Sequence, residues 1–329
     1  NLPTDHPRPA KQTYNGASVP FKLNADLTKA LQEFSTANNA TLYMTLLAAF
    51  EVLLSRYTGQ TNFAVGSPTA GRRAAGWAST IGYFVNPVVM RAEVSGDPTF
   101  ADYLQRVRHE TLAALAHLDF PIPLLVERLQ PERDLSRSPL FQAMFVLQKA
   151  HQASDARFAE LASGESRVKL ELGGLSLESI AIPKRVAQFD LTLMMAEAEG
   201  EMAASFIYNT DLFEAATISR LAGHFRTLLE GITRNPEKRV TKLPLLTGNE
   251  RRQLLIEWNK TAPVDWGVDE YAVSADLLHE GFAAQAARTP HGIALIAGEE
   301  RLTYAELDAR SNQLAHHLIA LGVNTESSI

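Results

Sequence analysis

Two hydroxyl side chains that follow a predicted buried strand are the first candidates for chemistry. The stretch from Phe63 to Gly66 is predicted as that strand, and Ser67 and Thr69 come after it, before a loop that contains glycine. Loops at the ends of rigid strands commonly carry ligand contacts. The two hydroxyls could therefore bind a substrate, or they could hydrogen-bond to the backbone of a turn. The sequence leaves both interpretations open.

Polar residues recur in two later loops. Asn86, which precedes Pro87, could orient a substrate amide, but we expect it to satisfy buried backbone groups instead. Further on, Arg133 and Asp134 are predicted to form an ion pair that fixes a loop, with Ser136 capping it. Both loops are therefore predicted to have mainly structural roles.

The histidines and cysteines predict no metal site. His109, His117, His151 and His224 have no aspartate or cysteine at ligand-like spacing. The chain contains no cysteine, which excludes disulfides, thiolate metal sites and a cysteine nucleophile. A phosphate-binding loop of the form G-x-x-x-x-G-K-[S/T] is also missing from the sequence.

Composition limits the class of protein. The 329 residues are 46% hydrophobic and 21% charged, which is ordinary for globular proteins and enough for about two domains. The net charge of −6 comes from interspersed acidic and basic residues, so we expect no nucleic-acid partner and no membrane association. No apolar run approaches the ~20 residues that span a bilayer. The lack of cysteine fits the cytoplasm, where we expect the protein to be.

The elements that must position these residues predict an α+β fold. Apolar faces indicate five long or short helices before residue 240, two of them capped by Thr41 and Thr99. Mixed strands and helices without regular βαβ alternation favour a layered α+β arrangement. The proline-rich opening up to Pro9 is predicted to be an extended, solvated connector. Strands are predicted at Phe21–Leu23, Phe63–Gly66, Val88–Val94, Leu140–Gln148, Phe189–Met195 and Ala203–Tyr208, with one or two more between Val168 and Ile182.

A domain boundary is predicted after residues 1–245. Thr247 and Glu250 form a capping box that opens a short helix, and a polar, proline-containing linker extends over residues 246–268. Residues 269–329 then begin a new compact pattern of a helix, a strand, a second strand at Arg301–Tyr304, and a helix opened by a capping box of Thr303 and Glu306. This last part is too short for a complete domain, so we expect the chain to be a fragment.

Five segments, in order, resemble signatures of peptide-synthesising enzymes. Leu2–Pro9 is similar to the connector that enters the second lobe of condensation domains in non-ribosomal peptide synthetases. Ile81–Pro87 (I-G-Y-F-V-N-P), Leu118–Pro121 and Arg133–Leu140 (R-D-L-S-R-S-P-L) resemble later signatures of that domain. Leu302–Leu307 (L-T-Y-A-E-L) resembles the first core motif of adenylation domains. Several ordered partial matches are specific, whereas each alone would be weak.

The resemblance implies a fold, a reaction and partners. The implied fold is a chloramphenicol-acetyltransferase-like C-terminal lobe, a mixed sheet with flanking helices, followed by a truncated α/β adenylation start. The implied reaction forms an amide between a donor acyl or peptidyl thioester and an acceptor aminoacyl thioester. Both substrates ride on 4′-phosphopantetheine arms of carrier domains, with nothing bound covalently in this chain. The other implied partners are the N-terminal lobe and the rest of the adenylation domain, which uses ATP and magnesium when complete.

The resemblance also places one group of residues near a tunnel between the two lobes. These residues are expected to line the tunnel or to contact the pantetheine arm. Arg72 could equally be solvated surface, and Tyr83 is expected in the core or in the tunnel wall rather than in the chemistry. The group consists of Ser67, Thr69, Arg72, Tyr83 and Asn86.

The histidine motif of the family, H-H-x-x-x-D-G, is not found in this sequence. The nearest imitation starts at His316 and His317, has Leu321 in place of the aspartate, and lies in a predicted helix. We therefore expect no catalytic residue here, an upstream motif, and no activity from the isolated chain. Two alternatives stay open: a non-catalytic fragment that docks carrier domains, and a coenzyme A-dependent acyltransferase of the same superfamily. The adenylation-like tail argues against the second.

Overall fold

Two units make up the chain, Asn1–Asn259 and Lys260–Ile329. The structure is a computed structural model, and it describes residues 2–71, 75–77, 80–148, 169–172, 175–178, 184–198, 200–260 and 278–323. The first unit contains the sheet that positions the candidate site, and the second contains the smaller C-terminal pattern.

The first unit is built from helices and strands in mixed order. Its helices are α1 (Ala25–Ala37), α2 (Leu42–Thr58), α3 (Phe100–Ala116), α4 (Ile122–Leu129), α5 (Ala215–Arg234) and α6 (Gly248–Arg252). Its strands are β1 (Gly16–Leu23), β2 (Asn62–Thr69), β3 (Asn86–Glu93), β4 (Ala143–Gln148), β5 (Lys169–Leu172), β6 (Leu175–Glu178), β7 (Leu191–Ala198) and β8 (Glu201–Asn209). Short helical turns occur at Ala75–Trp77, Val240–Lys242 and Gln253–Glu257.

Six of these strands form one mixed sheet in the order β1-β8-β7-β4-β2-β3. β2, β4 and β7 run parallel to one another, and the other neighbours are antiparallel. The predicted fold class, a mixed sheet with flanking helices, is therefore confirmed. β5 and β6 pair only with each other. They lie inside the interval 168–182, where one or two strands were predicted, and the rest of that interval lies outside the described residues.

Helix α2 lies at the centre of the core. Every residue from Met44 to Leu54 is buried, so the helix packs on more than one side. Phe50 lies on this helix, 6.1 Å from the ring of Phe145 and 6.3 Å from that of Phe206. Burial of such apolar surface is the main favourable term in folding. Among the described residues no single helix is long and apolar enough to cross a membrane, although α1 and α2 together, bent by 104°, meet that criterion.

Local sequence signals correctly predict the helix ends. The hydroxyl of Thr41 accepts a hydrogen bond from the N–H of Met44 at 3.3 Å, and that of Thr99 accepts from Asp102 at 3.1 Å. Gly59 ends α2 in the left-handed conformation with φ of 70°. Such caps satisfy N–H and C=O groups that a helix end leaves without an intrahelical partner.

Pro3, Asp5, His6 and Pro7 are exposed, as expected for a solvated connector, but the opening segment is also attached to the first unit. The Asp5 carboxylate accepts hydrogen bonds from the N–H of Glu214 at 2.8 Å and from the hydroxyl of Thr217 at 2.9 Å, at the start of α5. Leu2 packs against the core. These attachments could not be predicted from the segment alone, because they depend on a helix start that offers unpaired N–H groups to a nearby carboxylate.

The second unit begins with α7 (Leu278–Arg288), followed by β9 (Ile293–Ala297), β10 (Glu300–Thr303) and α8 (Tyr304–Ala320). β9 and β10 form an antiparallel hairpin. The predicted second strand extends one residue too far, because Tyr304 already belongs to α8. The capping box is confirmed: Glu306 donates its N–H to the Thr303 hydroxyl at 3.3 Å and accepts from the Thr303 N–H at 2.9 Å.

Candidate functional site

The two signature loops of the first unit lie at opposite edges of its sheet. The first loop connects the end of β2 to the start of β3. The second precedes β4, whose first residue pairs with the first residue of β7. Because β2, β4 and β7 are parallel, their ends share one edge and their starts the other. We call the edge at the ends of these strands the upper edge; it carries Ser67, Thr69 and Asn86. The edge at their starts is the lower edge; it carries Asp134, Ser136 and Asp190.

Ser67 is buried at the upper edge and uses its hydroxyl inside the protein. It donates to the carbonyl of Phe145 at 3.0 Å and accepts from the phenol of Tyr43 at 2.8 Å. Burial raises the pKa of Tyr43 to about 12; the Ser67 hydrogen bond opposes this rise and the charge of Glu51 adds to it. The phenol therefore remains a donor at neutral pH, and Ser67 is fixed from both sides.

The sheet opens beside Ser67. β2 and β4 pair at only two positions, Val65 with Ala143 and Gly66 with Met144. Beyond them the Ser67 side chain, rather than the backbone, connects the two strands. The ring of Phe141 lies directly over Gly66, so a Cβ at this glycine would be 2.1 Å from the ring. A side chain at position 66 would therefore push the two strands or the ring apart.

Thr69 and Asn86 hold the neighbouring loops. The hydroxyl of Thr69 donates to the carbonyl of Asn86 at 2.8 Å. The Asn86 amide in turn donates to the carbonyl of Leu118 at 2.7 Å and to that of Phe120 at 3.3 Å. This arrangement fits the expectation that Asn86 satisfies backbone groups, and it brings the loop before α4 to the upper edge.

The loop between β2 and β3 presents apolar side chains on its surface. Ile81 is 100% exposed and Tyr83 is 87% exposed, so Tyr83 is not in the core. The ring of Phe84 stacks on Trp77 at 5.9 Å. Arg72, which could contact the pantetheine arm or be solvated surface, lies outside the described residues.

At the lower edge, Asp134 forms a small cluster, but not the predicted one. Its carboxylate accepts from the N–H of Ser136 at 2.8 Å and from the Ser136 hydroxyl at 2.6 Å. Its ionic partner is Arg137, whose Nε lies 2.7 Å from Oδ2. The predicted Arg133–Asp134 pair is therefore wrong, because the turn at residues 134–137 brings Arg137 back to the carboxylate. The Ser136 hydrogen bonds, helped by Arg137, lower the pKa of Asp134.

A buried ion pair ties the opening segment to the lower edge, and sequence reasoning missed it. The guanidinium of Arg8 contacts both carboxylate oxygens of Asp190, with Nη1 3.1 Å from Oδ1. The same Nη1 donates to the carbonyl of Ser136 at 3.1 Å. The side chain of Asp190 is only 3% exposed. The one available signal was that Arg8 lies in a segment that resembles a family signature.

The histidine pair of the second unit lies on the surface. His316 and His317 are both exposed on α8, as expected for helix residues without a catalytic partner. Within the described ranges, no group of three histidine, aspartate or glutamate side chains could hold a metal ion.

Most of the sequence matches one family, and the C-terminal residues match a second. The chain belongs to the condensation domain family, whose model matches residues 1–255. The model of AMP-binding enzymes matches residues 282–329.

Relatives of the chain are very large synthases. A linear gramicidin synthase protein of Brevibacillus parabrevis is 42% identical over 328 residues, which are 100% of this chain and 4% of that protein. Chondramide synthase of Chondromyces crocatus is 40% identical over 328 residues, 99% of this chain and 8% of that protein. The chain thus spans a small fraction of the length of the curated relatives that it matches.

Solved structures share the fold. A holo four-domain nonribosomal peptide synthetase with AMP and glycine bound superposes with a TM-score of 0.74 at 25% identity, over 98% of this chain and 24% of that one. The X-domain from teicoplanin biosynthesis superposes with a TM-score of 0.65 at 25% identity, over 75% of this chain and 53% of that one. The condensation-type fold therefore describes the first unit.

Proposed function

We propose that this chain supplies the C-terminal lobe of a condensation domain that forms amide bonds within a peptide synthetase module. The match of residues 1–255 to the condensation family, followed by the AMP-binding match, carries the proposal. In this order, the domain that activates an amino acid follows the domain that joins it. The substrates are a donor acyl or peptidyl thioester and an acceptor aminoacyl thioester, each on the 4′-phosphopantetheine arm of a carrier domain.

The part of the lobe in this reaction is to position substrates. Ser67 and Thr69 already donate their protons to protein carbonyls, so towards a pantetheine amide they can act only as acceptors. Ser67 is 2% exposed, which leaves the half-buried Thr69 as the hydroxyl that can reach a ligand. Alignment of two tethered reactants can contribute about 7–11 kcal/mol in ideal cases. We assign no catalytic residue in this chain.

The apolar loop at the upper edge is the surface that we assign to the N-terminal lobe. Ile81, Tyr83 and Val85 expose 100%, 87% and 41% of their surface within five residues. An exposed apolar cluster of this kind marks an interaction site. It adjoins Thr69 and Asn86, so a lobe seated there would complete a cleft lined by the upper edge.

The test uses the complete synthetase module that contains this chain, with donor and acceptor carriers loaded separately. Intact-protein mass spectrometry of the carriers should show transfer of the donor group to the acceptor amine. The double variant Ile81→Ser, Tyr83→Ser should lower the rate about tenfold, because it removes an apolar contact between the lobes. Leu112→Ser, which changes a 48% exposed leucine on α3, is the matched control and should leave the rate unchanged.

Two results would contradict the proposal. The carriers could load fully but release their acyl groups only by hydrolysis. That result would mean that the chain docks carrier domains without taking part in condensation. Equal rates for the double variant and the Leu112 control would show that the loop does not contact the other lobe.

A further inference from the structure

Three side chains that are distant in sequence form a hydrogen-bonded series near the C-terminal end of the first unit. The phenol of Tyr57, on α2, lies 2.5 Å from Nδ1 of His224, on α5. Nε2 of the same imidazole lies 3.0 Å from Oε1 of Glu250, on α6. The side chains of His224 and Glu250 are only 12% and 24% exposed. The contact therefore joins two core helices to the short helix that was predicted to open the linker.

The positions of the protons in this hydrogen-bonded series follow from the protonation state of the Tyr57 phenol. Burial raises the pKa of Tyr57 to about 12; the charge of Arg220 opposes this rise and that of Glu250 adds to it. A protonated phenol that donates to Nδ1 leaves the imidazole proton on Nε2, where it faces the carboxylate. Each group then has the partner it needs. A phenol that is so hard to ionise is a poor nucleophile, so the geometry is suited to holding rather than to reacting.

Glu250 connects Tyr57 and His224 to the N-terminal cap of α6. Its second oxygen, Oε2, accepts from the N–H of Thr247 at 2.8 Å and from the Thr247 hydroxyl at 2.7 Å. Partial burial works to raise the pKa of Glu250, but the Thr247 hydrogen bonds and the nearby His224 lower it overall. One ionised carboxylate therefore both closes the capping box and contacts α5.

The residues just before the cap are also fixed to the first unit. Nη1 of Arg56, next to Tyr57, donates to the carbonyls of Val240 at 3.0 Å and Leu243 at 3.1 Å. Pro244 packs against Gly231 so closely that a Cβ on the glycine would lie 2.6 Å from the proline ring. The chain is thus fixed at several successive points before it reaches α6.

We propose that Tyr57, His224 and Glu250 form an anchor that makes the start of the interdomain linker part of the condensation lobe. Residues 247–259 lie in the range 246–268 that the sequence assigned to the linker, and they fall within the unit Asn1–Asn259. The anchor holds α6 against α2 and α5 of the lobe. His224 is a positioning residue in this role, and the inference does not depend on the proposed reaction.

Hydrogen exchange on the whole 329-residue chain tests the anchor. The readout is a peptide covering residues 250–258, whose amides of Arg251, Gln253 and Trp258 are hydrogen-bonded. His224→Phe keeps an aromatic ring but removes both nitrogens, and exchange in this peptide should become about tenfold faster. Peptides from α2 should exchange as in the unsubstituted chain. Tyr43→Phe is the matched control, because Tyr43 lies on the same helix as Tyr57 but contacts Ser67.

A double substitution separates an anchor from a general packing role. If the three side chains act in series, Tyr57→Phe alone should accelerate exchange in this peptide. The double variant Tyr57→Phe, His224→Phe should then exchange no faster than His224→Phe alone. Additive effects, unchanged exchange at residues 250–258, or equal acceleration throughout the first unit would each overturn the inference. Tyr57→Phe alone, which removes one oxygen, serves as the milder variant if His224→Phe does not fold.

Discussion

Glu51 is a carboxylic acid in the middle of the core, and its protonation predicts a measurable pH dependence of stability. It lies on α2 with 1% of its surface exposed, and the Tyr103 phenol donates to its Oε2 at 2.7 Å. Burial raises the pKa of Glu51 from 4.5 to about 8; the Tyr103 hydrogen bond opposes the rise and the charge of Glu110 adds to it. Burial in an apolar core disfavours the ionised form, since no water solvates the charge.

The sign follows from proton uptake. Between pH 4.5 and about 8 the unfolded chain has released this proton and the folded chain still holds it. Folding must therefore take up a proton, and stability falls as the pH rises through this window. At 1.36 kcal/mol for each pKa unit, the loss is about 3.5 kcal/mol between pH 5 and pH 8. Below pH 4.5 both states are protonated and the effect is absent.

Glu51→Gln removes the titration while keeping an oxygen for Tyr103. The new amide N–H groups cost about 1–3 kcal/mol, but this cost does not depend on pH. The free energy of unfolding of the variant, minus that of the unsubstituted chain, should therefore rise by about 3.5 kcal/mol from pH 5 to pH 8. Urea denaturation at several pH values measures it. Glu33→Gln is the control, because Glu33 is exposed and pairs with Lys29.

Constancy of that difference to within about 1 kcal/mol over this pH range would refute the reasoning. It would mean that Glu51 is ionised in the folded chain, or that its burial is matched by a counter-charge. The same conclusion would follow if the free energies of unfolding of the Glu51 and Glu33 variants changed with pH to the same extent.

Three further substitutions test contacts at the two edges of the sheet. Gly66→Ala should cost about 1–3 kcal/mol in a thermal melt, because its Cβ would lie 2.1 Å from the Phe141 ring, and an unchanged melting temperature would contradict that contact. Arg8→Ala should cost about 3–5 kcal/mol by leaving the Asp190 charge buried alone; Asp190→Asn in the same chain should recover part of the loss, and no recovery would argue against the pair. Asn86→Ala removes two amide hydrogen bonds to a loop and should cost about 1–3 kcal/mol, with faster proteolysis in that loop; unchanged cleavage would mean that other contacts hold it.

Helix ends could be predicted from sequence because the interactions that determine them are local. The caps at Thr41, Thr99, Thr247 and Thr303 each involve groups three residues apart, and all four form as predicted. The layered α+β arrangement followed from strands and helices without regular βαβ alternation, and the family resemblance supplied the mixed sheet with flanking helices. The order of its strands did not follow from the sequence, because pairing partners such as β1 and β8 are almost two hundred residues apart.

The polar contacts of the site could not be predicted for the same reason. Arg8 and Asp190 are separated by 182 residues, and nothing near either one in the sequence indicates the other. The sequence around His224 indicated no partner for its side chain, yet its two nitrogens contact Tyr57 on α2 and Glu250 on α6. The predicted ionic partner of Asp134 was Arg133, but the observed partner is Arg137. The geometry of the turn decides which of the two positions faces the carboxylate, and the sequence does not give that geometry.

The upper edge indicates how a lobe can take part in a reaction without supplying a reactive group. Ser67, Thr69 and Asn86 each donate to a carbonyl of another strand or loop, so their hydrogens are committed before a substrate arrives. Groups fixed in this way cannot serve as a mobile proton carrier. Ser67 instead connects β2 to β4, Thr69 connects β2 to β3, and Asn86 holds the loop before α4. Formation of an amide from an activated thioester depends mainly on the alignment of two tethered reactants. A wall of fixed geometry favours that alignment, since its side chains lose little freedom when a substrate binds. The saturation of hydrogen bonds at this edge is therefore consistent with the positioning role that we propose for it.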